Sequence, residues 1–317
     1  MGETPKVRVV VHSDPGADDA VALCYLAARP EVRIEAVGSV HGNVSAEAGA
    51  ENALRVLERA GLPDVPVAVG AARPLAQGVE TAEWVHGLDG LGGAAGPPAQ
   101  NRPVPISAAE QLVTLARANP GELCLLELAP LTNLALALLL EPELPRLLKQ
   151  VVVMGGAIGG PGNVTPFAEA NFWHDPEAAD LVLGAGFPLT LVGLNVTDSA
   201  GRADGEWLDR LAASEQPVTQ WCTEVLGHYV GFYSGLTGER ELRLHDPLAA
   251  MILLHPELAK YEQHRVSIEL RGELTRGASL VDSRPFTLEQ DESRAPVQVA
   301  VWADGTRFLD DLLEALG

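Results

Sequence analysis

Cysteine and lysine are both scarce. The three cysteines, Cys24, Cys124 and Cys222, stand in apolar or helical surroundings, with no C-x-x-C and no pairing at metal-ligand spacing. This excludes a zinc ribbon or a disulfide framework and leaves core thiols. The odd count, and an opening that does not read as a secretory leader, set the expectation of a reducing cytoplasm. Lysine occurs only at Lys6, Lys149 and Lys260, and no function is read from that. No apolar run approaches the roughly 20 residues of a membrane helix. Positive charge is also short: 22 basic residues face 43 acidic ones, for a net charge of −21. Such a field disfavours phosphate backbones and anionic membranes, so nucleic-acid polymers and membranes are not expected partners.

The 317 residues are 47% hydrophobic and 21% charged. That composition fits one large globular domain over 1–317, able to bury about 75% of its unfolded surface. Val-rich residues 6–11 read as a buried strand of the parallel type, followed by a helix over 17–29. Strands are expected at 32–40, 65–69, 123–128, 151–154 and 189–194. Helices are expected at 46–60, 108–118, 131–140, 177–183, across most of 203–236, and at 245–254. Gly- and Pro-rich residues 70–105 form a long excursion, and 157–174 a second loop. The tail reads as strands near 265–270, 279–281 and 297–302 and a last helix ending at Leu316. This alternation predicts a largely parallel α/β sheet with helices on both faces.

Ligands in such sheets bind beyond the carboxyl ends of the strands, and the polar clusters fall there. Asp14, Asp18 and Asp19 follow the first strand around a Pro15-Gly16 turn. The helix dipole favours acids in a first turn, which explains Asp18 or Asp19 as caps but not Asp14 as well. Adjacent helical residues point about 100° apart, so one of the pair can join Asp14 at a metal while the other faces a ligand. Hard carboxylate oxygens suit Ca²⁺ or Mg²⁺. His245 and Asp246 open a later helix and offer a further acid. The glycines of "MGGAIGGPG" form no G-x-x-x-x-G-K-[ST] phosphate loop.

Six stretches in order resemble the inosine–uridine preferring nucleoside hydrolases: "HSDPGADDA", "VHGNV", "VHGLDGLGG", "LAPLTNLALAL", "VVVMGGAIGGPGNVTPFAEANFWHDPEAA" and "LHDPLA". The resemblance implies an open, mostly parallel α/β sheet, Rossmann-like though without a dinucleotide, together with hydrolysis of the N-glycosidic bond of ribonucleosides and a Ca²⁺ cofactor. Its ligands map onto the side chains of Asp14, Asp19 and Asp246 and the carbonyl of Leu128. Sugar contacts map onto Asp18, Asn43, Met154, Asn163, Glu169, Asn171 and Asp246, with His86 and His245 around the nucleobase. A homodimer or homotetramer is implied as well.

The residue types suit that chemistry. The bond breaks through an oxocarbenium-like state, which a carboxylate-rich pocket stabilises. A divalent cation lowers the pKa of water, and Asp14 is the expected base. Asn and Glu match a polyhydroxyl ligand, Met154 offers a polarizable wall, and His245 is the expected proton donor to the leaving base. Trp84, Trp173 and Tyr229 read as core or base-stacking residues, and His228 and Tyr233 as candidate base contacts. Three positions depart from the family pattern: His12 stands for the first Asp of the fingerprint, Ala129 for a Gly, and Asn195 for an Asp. An imidazole at position 12 is expected to weaken Ca²⁺ binding or shift the pH optimum. It also motivates an alternative, a nucleoside- or ribose-binding protein with little turnover. An Asp-nucleophile phosphatase is disfavoured, because its nucleophile would fall at His12.

Overall fold

The computed structural model describes residues 7–284 and 293–317. The chain begins with β1 (Val7–Ser13), α1 (Ala17–Ala27), β2 (Val32–Ser39), α2 (Ala46–Arg59) and a short β3 (Val67–Ala68). The excursion that follows contains α3 (Glu83–His86) and leads to α4 (Ala108–Ala118), β4 (Leu123–Glu127) and α5 (Thr132–Leu140). Next come α6 (Leu144–Leu147), β5 (Leu148–Met154), α7 (Ala170–His174), α8 (Pro176–Gly184), β6 (Leu189–Val192) and α9 (Leu194–Ala200). They are followed by β7 (Arg202–Ala203), α10 (Gly205–Ala212), α11 (Pro217–Thr237), β8 (Leu242–Arg243) and α12 (His245–Leu254). The chain closes with β9 (Ala259–His264), β10 (Ser267–Ile268), β11 (Ser279–Leu280), β12 (Val297–Ala303) and α13 (Gly305–Leu316).

Eight strands form the central sheet in the order β3-β2-β1-β4-β5-β6-β12-β9, with every pairing parallel except β12 with β9. The expected open, mostly parallel α/β fold is therefore the one observed. Strand residues alternate between two cores, as the two-residue period requires. Val9 and Val11 join α1, α2, α11 and α12 on one face, whereas Val10 packs with α4, α5 and α8 on the other. Strand order reverses between β1 and β4: β2 and β3 extend to one side of β1, and the chain then returns to its other side. That switch point opens a crevice at the carboxyl ends of β1 and β4, where Asp14 and Leu128 follow.

Several boundaries differ from those expected. The strand at 189–194 stops at Val192, because Gly193 caps a helix, α9, that the sequence did not signal. The helical stretch 203–236 divides at Pro217, whose missing N–H is tolerated at a helix start. Strand β9 was not expected, since a polar edge strand (Ala-Lys-Tyr-Glu-Gln-His) carries no apolar signal. Residues 267–268 and 279–280 pair with each other outside the main sheet, and α7 lies inside the expected loop 157–174. Residue 6, read as the start of β1, lies outside the described residues. No described helix is long and apolar enough to cross a membrane.

Candidate active site

Ser13 ends β1, and Pro15-Gly16 turn the chain so that α1 starts at Ala17, with Asp18 and Asp19 in its first turn. Asp19 is held on both oxygens: Oδ1 accepts from Ser13 Oγ at 2.6 Å, and Oδ2 from Gly16 N at 3.0 Å and Asn43 Nδ2 at 3.1 Å. Asp14 Oδ2 accepts from the Asn43 amide at 2.6 Å, while its Oδ1 is buried with no donor. Gly42 passes so close that a Cβ there would overlap Asp14 Oδ2, which is why this loop carries glycine. Helix α12 packs on α1 and delivers Asp246. Oxygens of Asp18, Asp19 and Asp246 lie within 4.8 Å of one another. The structure thus draws Asp18, expected as a sugar contact, into the acid group, and leaves Asp14 beside it.

Burial dominates the titration of this cluster. It holds the Asp14 carboxyl well above its usual range, with the charge of Asp19 adding to the rise. Asp18 is pushed up to about 8 by burial and then by Asp19. Asp246 rises well above normal by burial and by the facing Asp18, Asp19 and Asp14. Four buried acids without a base between them repel one another unless a cation intervenes. The donor set is all hard oxygen, and the unpartnered Asp14 Oδ1 is an atom such an ion would satisfy. The residues fit a divalent cation.

Asp18 and Asp246 also line a cavity of about 280 Å³, joined there by Asn43, His86, Leu128 and Met154. Asn163, Glu169, Asn171 and His245 complete the expected set on its wall, whereas Asp14 and Asp19 lie beneath the lining. Glu169 caps α7: Oε1 accepts from Asn171 N at 2.8 Å, and Oε2 from Gly156 N at 2.7 Å and Phe172 N at 3.2 Å. Asn171 Nδ2 donates to the carbonyls of Leu128 and Met154, each at 3.1 Å. A carbonyl has two lone pairs, so that of Leu128 keeps one for another partner. Asn163 Oδ1 accepts from Ala170 N at 2.9 Å.

The opposite wall is aromatic. His86 stacks on Tyr229 with ring centroids 5.1 Å apart, and its Nδ1 accepts from Ala17 N at 3.1 Å. Edge contacts join Tyr229 to Tyr233, Tyr233 to Phe232, and Phe232 to Trp84. His245 Nδ1 lies 2.8 Å from Thr197 Oγ1 and its Nε2 3.0 Å from Tyr233 Oη. Burial lowers both His86 and His245 to about 3, so both rings are neutral near pH 7. Trp173 reaches the cavity, but His228 does not, lying outside beside the Trp84 carbonyl. Sequence reasoning missed Asp198, Glu80 and Phe232, which line the cavity, and Thr197, which bonds His245 behind it. Thr197 and Asp198 sit on α9, whose short, mixed sequence gave no periodic signal. Asn195, on the same helix, donates to the Ala300 carbonyl at 2.8 Å and does not line the cavity.

His12 points elsewhere. It shares the phase of Val10, so its ring lies on the α4 side of the sheet, with Nδ1 2.8 Å from Glu127 Oε1. The imidazole that stands for the first Asp of the fingerprint thus contacts Glu127 and does not line the cavity.

The sequence model of the family described as "Inosine-uridine preferring nucleoside hydrolase" matches residues 9–310. The chain belongs to that family. It is an enzyme, a nucleoside hydrolase acting on ribonucleosides. "Probable uridine nucleosidase 2" of Arabidopsis thaliana is 35% identical over 315 residues, covering 98% of this chain and 97% of the relative. "Pyrimidine-specific ribonucleoside hydrolase RihA" of Shewanella woodyi is 37% identical over 312 residues, covering 97% of each. Among solved structures, "Plant nucleoside hydrolase - PpNRh1 enzyme" superposes with a TM-score of 0.94 at 32% identity, covering 98% of this chain and 99% of the other. The "Purine-Preferring Ribonucleoside Hydrolase from Gardnerella vaginalis" gives 0.90 at 27% identity, covering 98% of each. A structure named purine-preferring therefore shares this fold, while relatives named for uridine or pyrimidines match the sequence.

Proposed function

We propose that this nucleoside hydrolase is calcium-dependent and that pyrimidine ribonucleosides, uridine first, are its substrates. The observation that carries the metal reading is the buried acid group at the sheet's switch point, with Asp14 Oδ1 unpartnered beneath a cavity of about 280 Å³. The pyrimidine preference rests on relatives whose names specify uridine or pyrimidine. Asp14, Asp19, Asp246 and the Leu128 carbonyl would hold the ion. When bound, the cation supplies positive charge that acidifies water and offsets the carboxylates.

The chain's own residues do the rest. Asp14 accepts the proton of the attacking water as the new bond to the anomeric carbon forms. Asp18, Asn43, Asn163, Glu169, Asn171 and Asp246 orient the ribose hydroxyls, and Met154 lies along the ring. The carboxylates among them, Asp18, Glu169 and Asp246, stabilise positive charge as the N-glycosidic bond breaks and its electron pair leaves with the base. His86 and the Tyr229–Tyr233 wall stack the base and exclude water. His245, expected as the donor, is a neutral ring bonded to Thr197 and Tyr233. The leaving base therefore takes its proton or hydrogen bond from a Tyr233–His245 relay, not from a standing imidazolium.

The test is release of ribose from uridine, cytidine and inosine with Ca²⁺ present and after chelation. Asp14→Ala should reduce turnover by at least about 10³-fold. Binding without turnover by the wild type would overturn the catalytic reading. The binding-only alternative is motivated by His12, whose side chain contacts Glu127 and does not line the cavity. Cytoplasmic residence and assembly as a homodimer or homotetramer remain part of this proposal, the latter to be read by analytical ultracentrifugation.

A further inference from the structure

His12 and Glu127 are direct partners in the register of the parallel strands β1 and β4. Their side chains meet at 2.8 Å, and both are fully buried. A carboxylate only accepts, so His12 Nδ1–H is the donor. The same pair of strands is tied again through the backbone, where Leu128 N donates to the His12 carbonyl at 2.9 Å. Beyond this double tie β1 runs into Asp14 and β4 into Leu128, two of the four groups assigned to the cation. The remaining polar atoms, His12 Nε2 and Glu127 Oε2, have no partner. Burying two incompletely satisfied polar groups costs stability that an apolar pair at these positions would not. Packing therefore does not explain why the pair is there.

We propose that His12 and Glu127 are positioning residues: a cross-strand clip, outside the cavity lining, that sets the spacing of Asp14 and the Leu128 carbonyl for the metal ion. The inference rests on the metal reading above. On it, the acid that the family fingerprint places on β1 has an imidazole in its place here, and the carboxylate of the pair stands on β4. The clip touches neither substrate nor cation. Its effect on turnover comes entirely through the two strand ends.

The experiment compares wild type with His12→Leu, Glu127→Leu, the double variant and His12→Asn. Ca²⁺ affinity is read by calorimetry, thermal stability by circular dichroism, and kcat and KM for uridine at saturating Ca²⁺. Each single Leu variant leaves one buried polar partner stranded and should lower Tm, whereas the double Leu variant restores an apolar pair and should recover it. Ca²⁺ affinity should nevertheless stay down by about 10- to 100-fold in the double variant, the usual effect of removing a residue that orients metal ligands. Its kcat should fall with KM for uridine within about threefold, because the sugar-binding side chains are unaltered. His12→Asn keeps a donor near the Nδ1 position and should bind Ca²⁺ within about threefold of wild type. A double Leu variant that is stable and binds Ca²⁺ like wild type would overturn the clip and leave the metal reading standing. A wild type that binds no Ca²⁺ would overturn both. Should the single variants not fold, the double variant and His12→Asn still decide the matter.

Discussion

Tyr233 Oη sits 3.0 Å from His245 Nε2, and Thr197 Oγ1 lies 2.8 Å from the other ring nitrogen. With its pKa pushed down to about 3 by burial, His245 carries one proton between two hydroxyls at neutral pH. A neutral imidazole is a poor acid by itself, so the aromatic hydroxyl beside it matters. Tyr233→Phe should lower kcat for uridine by about 10- to 100-fold, the low end of acid-base contributions. KM should change little, because the ring that stacks on the wall is retained. Steady-state kinetics with an activated leaving group provides the check: the deficit should shrink when the leaving group needs no proton. At this scale residue identity was legible, since Tyr233 and His245 were both candidates from the sequence. Their mutual bond was not, because it joins α11 to the start of α12 and takes Thr197 from a third helix.

Single elements explain how the acids are held. The loop after β2 supplies the Asn43 amide to Asp14 and the Asn43 side chain to Asp19, and only glycine at position 42 lets the backbone come that near. Gly42→Ala should push the loop off Asp14, lowering Ca²⁺ affinity by about tenfold or more while the far-UV circular dichroism stays native. Isothermal titration against Ca²⁺ measures it. Helix α7 works in a similar way, its Glu169 cap being fixed by three backbone amides. The "HGN" and "EANF" strings flagged these places. Short elements such as α7, α9 and β9 escaped notice because five to seven residues hold too little periodicity to separate from loop.

For the whole molecule, the acid group couples metal binding to stability. In the absence of metal Asp14, Asp18 and Asp246 have folded pKa values above their unfolded ones, so the fold binds extra protons. Their neutral forms are favoured in the fold at low pH, and that advantage is lost as pH rises through the folded values. For Asp18 the window runs from its ordinary 3.8 to about 8. Chelated protein should therefore lose Tm between about pH 7 and 8, above the range in which the lowered His86 and His245 contribute with the opposite sign, and saturating Ca²⁺ should raise Tm more at pH 8 than at pH 7. Scanning calorimetry across that range, with EDTA or with Ca²⁺, tests the sign. A metal-free Tm that rises over the interval would contradict the assigned burial.

The sequence by itself determined the strand–helix alternation, the two-faced core and the identity of the acids, because periodicity and residue chemistry are local properties. It also placed each polar cluster at a strand end. Tertiary structure decided which clusters meet: the return of the chain from β3 to β4 sets Leu128 beside Asp14, and α12 brings Asp246 from 227 residues beyond Asp19. It decided as well that His12 faces α4 and not the cavity. A side chain's direction follows from its phase in a strand and the side on which each crossover helix packs, and only the folded sheet fixes both.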